Sequence, residues 1–225
     1  MYKIISGQYE SGTVEQQEGY KQLFGEDNIQ YKFDLYFHWY NIIHELGHCL
    51  VDIKELRETP DLTSVREEML VNQFAVAYWK YIGREDKVKE LEMLLNDILA
   101  NIPSPVPNGR EFTEYYESIW KPETLNSVIL YGYFQLNSVL EAIRQNNDLR
   151  AVLAFMNIEL TEDIVLNTYD DTICASNAHK VLNVALENLN KLEIPSLEVC
   201  LELVDNPMIQ CAQEEVNGVT ENRPH

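Results

Sequence analysis

One short motif in this sequence has the residue types and the spacing of a metal site: His44-Glu45-Leu46-Gly47-His48. Residues four apart lie about 40° apart around an α-helix and one turn apart along it, so both imidazoles of a helical motif face the same way. Two such imidazoles can bind one zinc ion, and Glu45 is placed to reach a water without itself binding the metal. The motif therefore predicts a zinc site with His44 and His48 as ligands and Glu45 as the general base of a hydrolase.

The segment after the motif can supply a third ligand. A proline-containing turn ends the first helix, and a second helix follows it. If the two helices pack antiparallel, Glu68, 20 positions after His48, comes level with His48 to within roughly 2 Å of helical rise. Asn72 then lies one turn further on, opposite His44, where its side chain can accept the second ring N–H of His44. We therefore predict Glu68 as the third zinc ligand and Asn72 as a partner behind the site.

The second helix carries two adjacent glutamates, and periodicity alone leaves Glu67 open as the ligand. The helix is apolar on nearly all sides, which is typical of a buried helix, and a buried carboxylate or amide needs a partner. Ser64 and Glu67 have the spacing of a capping box, which gives Glu67 another role and favours Glu68 as the ligand. Gly47 lacks a side chain and is expected to let the two helices approach closely.

Together, the two segments resemble a known family. The sequence HELGH, followed by Glu68-Met-Leu-Val-Asn72-Gln-Phe-Ala, is similar to the signature of the ImmA/IrrE-type bacterial HExxH zinc metallopeptidases, which use a Glu as third ligand as gluzincins do. The resemblance covers about residues 35–79, and Val71 replaces the usual Ala. It implies His44, His48 and Glu68 as zinc ligands, Glu45 as the base, and a peptide as substrate. Beyond Tyr81 nothing resembles the family, and no helix-turn-helix module is evident.

Hydrophobic periodicity predicts helices for most of the chain after residue 35, so the expected fold class is mainly α, with a small N-terminal β element. The two strands of that element are predicted at residues 2–5 and 29–33. A zincin-like helix pair that carries the motif is predicted at residues 36–53 and 64–81. Further helices are predicted at residues 86–100, 111–119, 123–145, 149–157, 162–169, 176–192 and 196–204.

A proline-rich stretch divides the chain. Residues 102–110 hold three of its eight prolines, a composition typical of a stiff connector. We therefore predict a zincin-like catalytic domain at residues 1–101, the connector at residues 102–110, and a helical C-terminal lobe at residues 111–225.

The chain is strongly acidic, with a net charge of -20. This charge argues against nucleic acid and anionic membranes as partners, because both recognise clustered Lys and Arg. It favours a basic or neutral peptide or protein substrate, which acidic residues at the rim of the cleft would attract. The rim candidates are Asp52, Glu55, Glu111, Glu114 and Glu117. The alternative is that these carboxylates only keep the protein soluble.

The compartment follows from what the sequence lacks. The first residues contain no long apolar run typical of a signal peptide, and no later run is long enough to span a bilayer. The four cysteines form no CxxC pair, so we expect reduced thiols in a cytoplasmic protein.

Two other classes of protein agree with the same motif. One is a zinc hydrolase that acts on a non-peptide amide or another small molecule, because the metal chemistry is the same. The other is a non-catalytic zinc-binding interaction protein.

Peptide hydrolysis also needs a group besides zinc to stabilise the oxyanion. The sequence leaves four candidates open for that role: His38, Tyr131, Tyr133 and His179.

Overall fold

The computed structural model describes residues 1–161, 164–192, 194 and 197–204, apart from the side chains of residues 128 and 129. Within these residues the chain is mainly helical, with one small sheet, so the predicted fold class is confirmed. A π-helix covers Asp34–Tyr40, and 3-10 helices cover Leu56–Glu58 and Ala175–Asn177. The α-helices are α1 (Val14–Phe24), α2 (Ile29–Phe33), α3 (Asn41–Ile53), α4 (Ser64–Tyr81), α5 (Glu85–Ala100), α6 (Phe112–Ile119), α7 (Pro122–Leu125), α8 (Val128–Gln145), α9 (Leu149–Phe155) and α10 (Ala178–Lys191).

The sheet joins the two ends of the described chain. Strand β1 (Tyr2–Gly7) pairs in parallel with β2 (Val199–Val204) along its whole length. The strand predicted at residues 29–33 is wrong, because that segment forms α2. The helix predicted at residues 196–204 is also wrong over its described part, most of which is β2. Apolar segments this short fit both periods, and the partner of β2 lies at the far end of the sequence, so no local signal indicates the pairing.

Three smaller differences concern helices. Helix α1 forms in a segment predicted to be irregular, with Thr13 accepting a hydrogen bond from the Gln16 amide as its N-cap. The helix predicted at residues 123–145 is divided into α7 and α8, and Ser127 caps the start of α8. Residues 164–169 are irregular where part of a helix was predicted.

The two helices of the motif pack antiparallel, as predicted. His48 on α3 contacts Glu67 near the start of α4, whereas His44 contacts Asn72 one turn further along α4. Gly47 allows the close approach, because a Cβ at this position would lie 2.9 Å from Val71 Cβ and 3.2 Å from Phe74 Cδ1. Both distances are too short for two carbon atoms in van der Waals contact.

Helix α4 lies at the centre of the molecule and is buried on nearly all sides. It packs against α3, α5, α8 and α9, and the rings of Trp39 and Trp79 stack with their centroids 4.1 Å apart. Residues from before and after the proline-rich stretch share this core. The division of the chain into a catalytic domain and a C-terminal lobe stays a prediction.

None of the described helices is both long and apolar enough to cross a membrane. Cys49, Cys174 and Cys200 carry free thiols, and Cys211 lies outside the described residues.

Candidate metal centre

The imidazoles of His44 and His48 and the carboxylate of Glu68 converge on one point between α3 and α4. Each of the three residues offers one ligand atom, and these atoms all lie within 4.8 Å of one another. His44 Nε2 lies 3.5 Å from Glu68 Oε2, and His48 Nε2 lies 3.8 Å from Glu68 Oε1. The two rings are nearly perpendicular, with centroids 4.9 Å apart. Two nitrogens and one oxygen at these separations form a group that could hold a metal ion.

Uncharged partners hold His44. Its Nδ1 donates to Asn72 Oδ1 at 2.8 Å, and the hydroxyl of Tyr40 donates to the same oxygen at 2.8 Å. The amide of Asn72 in turn donates to Ser138 Oγ at 3.1 Å. Because an amide oxygen only accepts, the proton of the neutral ring is on Nδ1, and Nε2 is left with a free lone pair facing Glu68. Burial lowers the pKa of His44, which favours this neutral form.

Charged partners hold His48. Its Nδ1 donates to Glu67 Oε1 at 2.7 Å, and Arg57 binds the same carboxylate through Nε and Nη2, with the shortest contact at 2.6 Å. Arg57 Nη1 also donates to Asp52, which accepts a hydrogen bond from the hydroxyl of Tyr2. Burial works to lower the pKa of His48, but the hydrogen bonds and charges of Glu67 and Glu68 outweigh it and raise the pKa to about 10.

The role assigned to Glu67 by its sequence spacing is wrong. The side chain of Thr63, and not that of Ser64, accepts the amide hydrogen bond at the start of α4. Glu67 instead reaches across to His48 and Arg57. Burial would raise its pKa, but the hydrogen bonds from His48 and Arg57 lower the pKa to about 2, so the carboxylate is ionised. Glu67 therefore lies behind His48 as Asn72 lies behind His44, and Glu68 faces the ring Nε2 atoms.

Glu45 lies beside the metal group and next to open space. It is half-buried, and its carboxylate accepts a hydrogen bond from the side chain of Asn41 at 3.2 Å. A cavity of about 290 Å³ borders Glu45 and His48. Strand β1, the end of α3 and the 3-10 helix Leu56–Glu58 form its other walls, where it is lined by Tyr2, Lys3, Ile4, Cys49, Asp52 and Arg57. A carboxylate in this position can take a proton from a water that enters the cavity.

Helix α8 adds a third wall, in which Tyr131 was a candidate from the sequence whereas Gln135 and Ser138 were missed. Gln135 Nε2 donates to Glu68 Oε2 at 3.0 Å and to the hydroxyl oxygen of Tyr131 at 2.8 Å, and Ser138 accepts from Asn72. Polar residues at positions 131, 135 and 138, four and three apart and so on one face of the helix, were the available signal. The sequence alone does not show that this face meets α4, because the two helices are far apart in the chain.

The π-helix supplies two further tyrosines that were also missed. Burial raises the pKa of Tyr36, and the charges of Glu68 and Glu45 act in the same direction. Tyr40 donates to Asn72. The wider turn of a π-helix keeps residues four apart more nearly aligned than an α-helix does, which places Tyr36 and Tyr40 on the side of the metal group.

Of the four oxyanion candidates, the structure brings only Tyr131 to the metal group. His38 is buried between Asp34 and the carbonyl oxygen of Gly7. His179 bonds to the carbonyl oxygen of Leu201, and Tyr133 packs against the small cluster around Phe134. The rim carboxylates are divided. Asp52 is paired with Arg57 and Glu117 with Arg66, whereas Glu55, Glu111 and Glu114 are exposed.

No family model, curated protein or solved structure matches this chain. The site is therefore defined by its own geometry. A helical HExxH pair, a carboxylate from the neighbouring helix and a separate partner for each imidazole make a group that could hold a metal ion.

Proposed function

We propose that this chain is a zinc-dependent metallopeptidase, of the kind represented by the ImmA/IrrE-type peptidases, and that His44, His48 and Glu68 are its zinc ligands. The observation that carries the proposal is the division of labour among the carboxylates. Glu68 faces the two ring Nε2 atoms, Glu67 binds His48 and Arg57, and Glu45 is the one of these three glutamates that borders the cavity. A purely structural zinc site has no use for a carboxylate held beside an open position.

The donor set suits zinc, and both imidazoles are already oriented with Nε2 toward Glu68. When bound, zinc polarises a carbonyl and lowers the pKa of a water. Glu45 accepts a proton from the attacking water, whose oxygen forms a bond to the carbonyl carbon of the substrate. Glu45 then gives that proton to the leaving amine as the C–N bond breaks, so that one peptide and one water yield a carboxylic acid and an amine.

Metal analysis and a cleavage assay on the full chain test this proposal. We expect one zinc per chain and cleavage of members of a peptide library. Glu45→Gln should keep the zinc and lose activity by at least about 100-fold, the lower range for a general base. Glu68→Ala should lose zinc. If Glu45→Gln cleaves as fast as the wild type, the base is wrongly assigned, and zinc content unchanged in Glu68→Ala would refute the ligand assignment.

The size of the cavity supports a second candidate function. The cavity of about 290 Å³ is just below the usual range of small-molecule sites, about 300–1,000 Å³, so a small amide is the alternative substrate of the same metal chemistry. Turnover of N-acyl amino acids with no turnover of library peptides would favour this alternative.

We further propose that a peptide substrate is basic or neutral near the scissile bond and that the protein acts in the cytoplasm. The exposed carboxylates of Glu55, Glu111 and Glu114 support the preference for a basic or neutral substrate. Asp52 contributes less to it, because Arg57 partly neutralises its charge. Matched peptides with Lys or Glu beside the scissile bond, compared over a salt series, test it. Equal cleavage of both peptides at low salt would refute the charge preference.

A further inference from the structure

We infer that Tyr131 is a catalytic residue of the proposed hydrolysis, donating a hydrogen bond from its hydroxyl to the carbonyl oxygen of the substrate as that oxygen becomes negatively charged. This inference rests on the proposed function of the metal group. It assigns the stabilising role to a residue of α8, outside the segment that resembles known peptidases.

The first argument is position. Tyr131 Oη is separated from Glu68 Oε2 by two hydrogen bonds, 2.8 and 3.0 Å long, that share Gln135 Nε2. The hydroxyl of Tyr131 is therefore close to the Glu68 side of the metal group. In the proposed reaction Glu45 takes a proton from a water that attacks the carbonyl of the substrate. A donor to the oxygen of that carbonyl has to lie in the same region.

The second argument is the direction of the hydroxyl proton. Gln135 donates to Tyr131 Oη, so this bond occupies a lone pair and leaves the O–H proton unused. Among the described residues no acceptor takes that proton. By contrast, the hydroxyl of Tyr40 donates a hydrogen bond to Asn72, and the hydroxyl of Tyr116 donates one to the carbonyl oxygen of Leu130. A tyrosine hydroxyl keeps its proton at neutral pH, so Tyr131 can act there as a donor.

The third argument is preorganisation. The ring of Tyr131 packs edge-on against Trp120, with centroids 6.1 Å apart, and Gln135 fixes the hydroxyl oxygen. The side chain is half-buried, which leaves room for a substrate to approach it. Tyr36 on the π-helix is the competing hydroxyl, but it is only 7% exposed and no hydrogen bond to a described residue fixes its oxygen. A donor that is already oriented contributes more than one that must be reorganised.

Tyr131→Phe tests the inference, with Tyr133→Phe as the matched control. Tyr133 lies two positions along α8 and packs against the cluster around Phe134. On the best library peptide we expect Tyr131→Phe to lower kcat by about 100-fold, the range for one oxyanion donor, with KM changed less than about twofold. The kcat and KM of Tyr133→Phe should stay close to those of the wild type, and so should the zinc affinity of both variants. A larger loss in Tyr36→Phe than in Tyr131→Phe would overturn the assignment.

A binding measurement separates this inference from the proposed function. Acetohydroxamate, titrated into the cobalt-substituted protein and followed by its absorption spectrum, presents a negative oxygen to the same donor. Tyr131→Phe should weaken its binding about tenfold, the effect of one hydrogen bond to a charged group. Peptide cleavage by the wild type with unchanged kcat and acetohydroxamate affinity in Tyr131→Phe would overturn the inference alone. A wild type that binds zinc but neither cleaves a peptide nor binds acetohydroxamate would overturn both.

Discussion

His44 and His48 lie one helical turn apart on α3, yet opposite kinds of partner hold them. His44 is nearly fully buried; its Nδ1 bonds to the uncharged amide of Asn72, which in turn bonds to the hydroxyls of Tyr40 and Ser138. The side chain of His48 is 23% exposed beside the cavity, and its partner Glu67 is bound to Arg57. The same ring atom, Nδ1, is therefore fixed by an amide in one case and by an ion pair in the other.

The difference shows how burial decides the choice of partner. An ion pair deep in the core would lose more solvation than it regains, so an amide is the better partner for the buried ring. Near the surface, water reduces that loss, and a carboxylate bound by a bidentate arginine orients the second ring more strongly. We call Asn72 with His44 the uncharged side of the metal group, and Glu67 and Arg57 with His48 its ionic side. Metal affinity should depend on packing and little on salt for the uncharged side. For the ionic side it should tolerate substitution and depend on salt. Three substitutions test this contrast.

Asn72→Ala removes the uncharged partner of His44, and of the three substitutions it should lower stability and zinc affinity the most. It leaves the His44 N–H and the Tyr40 hydroxyl without an acceptor, at about 1–3 kcal/mol for each buried group, so we expect the free energy of unfolding to fall by at least about 2 kcal/mol. Zinc affinity should fall 10–100-fold, as for other partners of metal ligands. Chemical denaturation and competitive zinc titration measure the two effects.

Asn188→Ala is the matched control for this change. Asn188 is fully buried like Asn72, and it bonds to Tyr78 and Asn167 instead of to a candidate metal ligand. It should lose similar stability and keep its zinc affinity. If both variants lost zinc affinity equally, Asn72 would act on the metal group only through the stability of the fold.

Gly47→Ala acts on both sides at once and should have an intermediate effect. Its Cβ would come within 2.9 Å of Val71 Cβ, so α3 and α4 must move apart, with an expected loss of about 1–3 kcal/mol in the free energy of unfolding. Gly19→Ala in α1, where a Cβ meets nothing within 4 Å, should instead raise stability by about 0.5–1 kcal/mol. Thermal unfolding of the two variants distinguishes these outcomes, and a Gly47→Ala protein as stable as the wild type would contradict the close approach.

Glu67→Gln changes the ionic side and should have the smallest effect, because the amide oxygen of Gln can still accept from His48. We expect zinc affinity to fall by less than about tenfold at low salt. The difference from the wild type should shrink as salt rises to 1 M, where the Debye length is about 3 Å. The effect of Asn72→Ala should stay constant over the same series. If Asn72→Ala were the salt-dependent variant, the contrast between the two sides would be wrong.

The sequence was sufficient to bring His44, His48, Glu68 and Asn72 together, and insufficient for several of the contacts around them. Helical spacing and a short loop place Glu68 and Asn72 opposite the two histidines, because both helices are regular there and follow each other in the chain. The role of Glu67 was missed because two adjacent helix residues differ by about 100° and no pattern shows which of them a long side chain uses. Gln135 and β2 were missed for another reason. Their partners are 67 and nearly 200 positions away, and local periodicity carries no information on such distances.

The π-helix at Asp34–Tyr40 has a consequence for how this protein can change in evolution. The amide of Asn41 bonds to the carbonyl of Tyr36, five positions back, so this turn holds one residue more than an α-helical turn would. Removing any one residue here would restore the narrower turn and rotate everything before it by about 100° relative to α3. A residue removed between Tyr36 and Tyr40 would therefore turn Tyr36 away from the side on which Tyr40 lies. For this segment, chain length is therefore under a tighter constraint than residue identity, and a deletion should be more harmful than most substitutions.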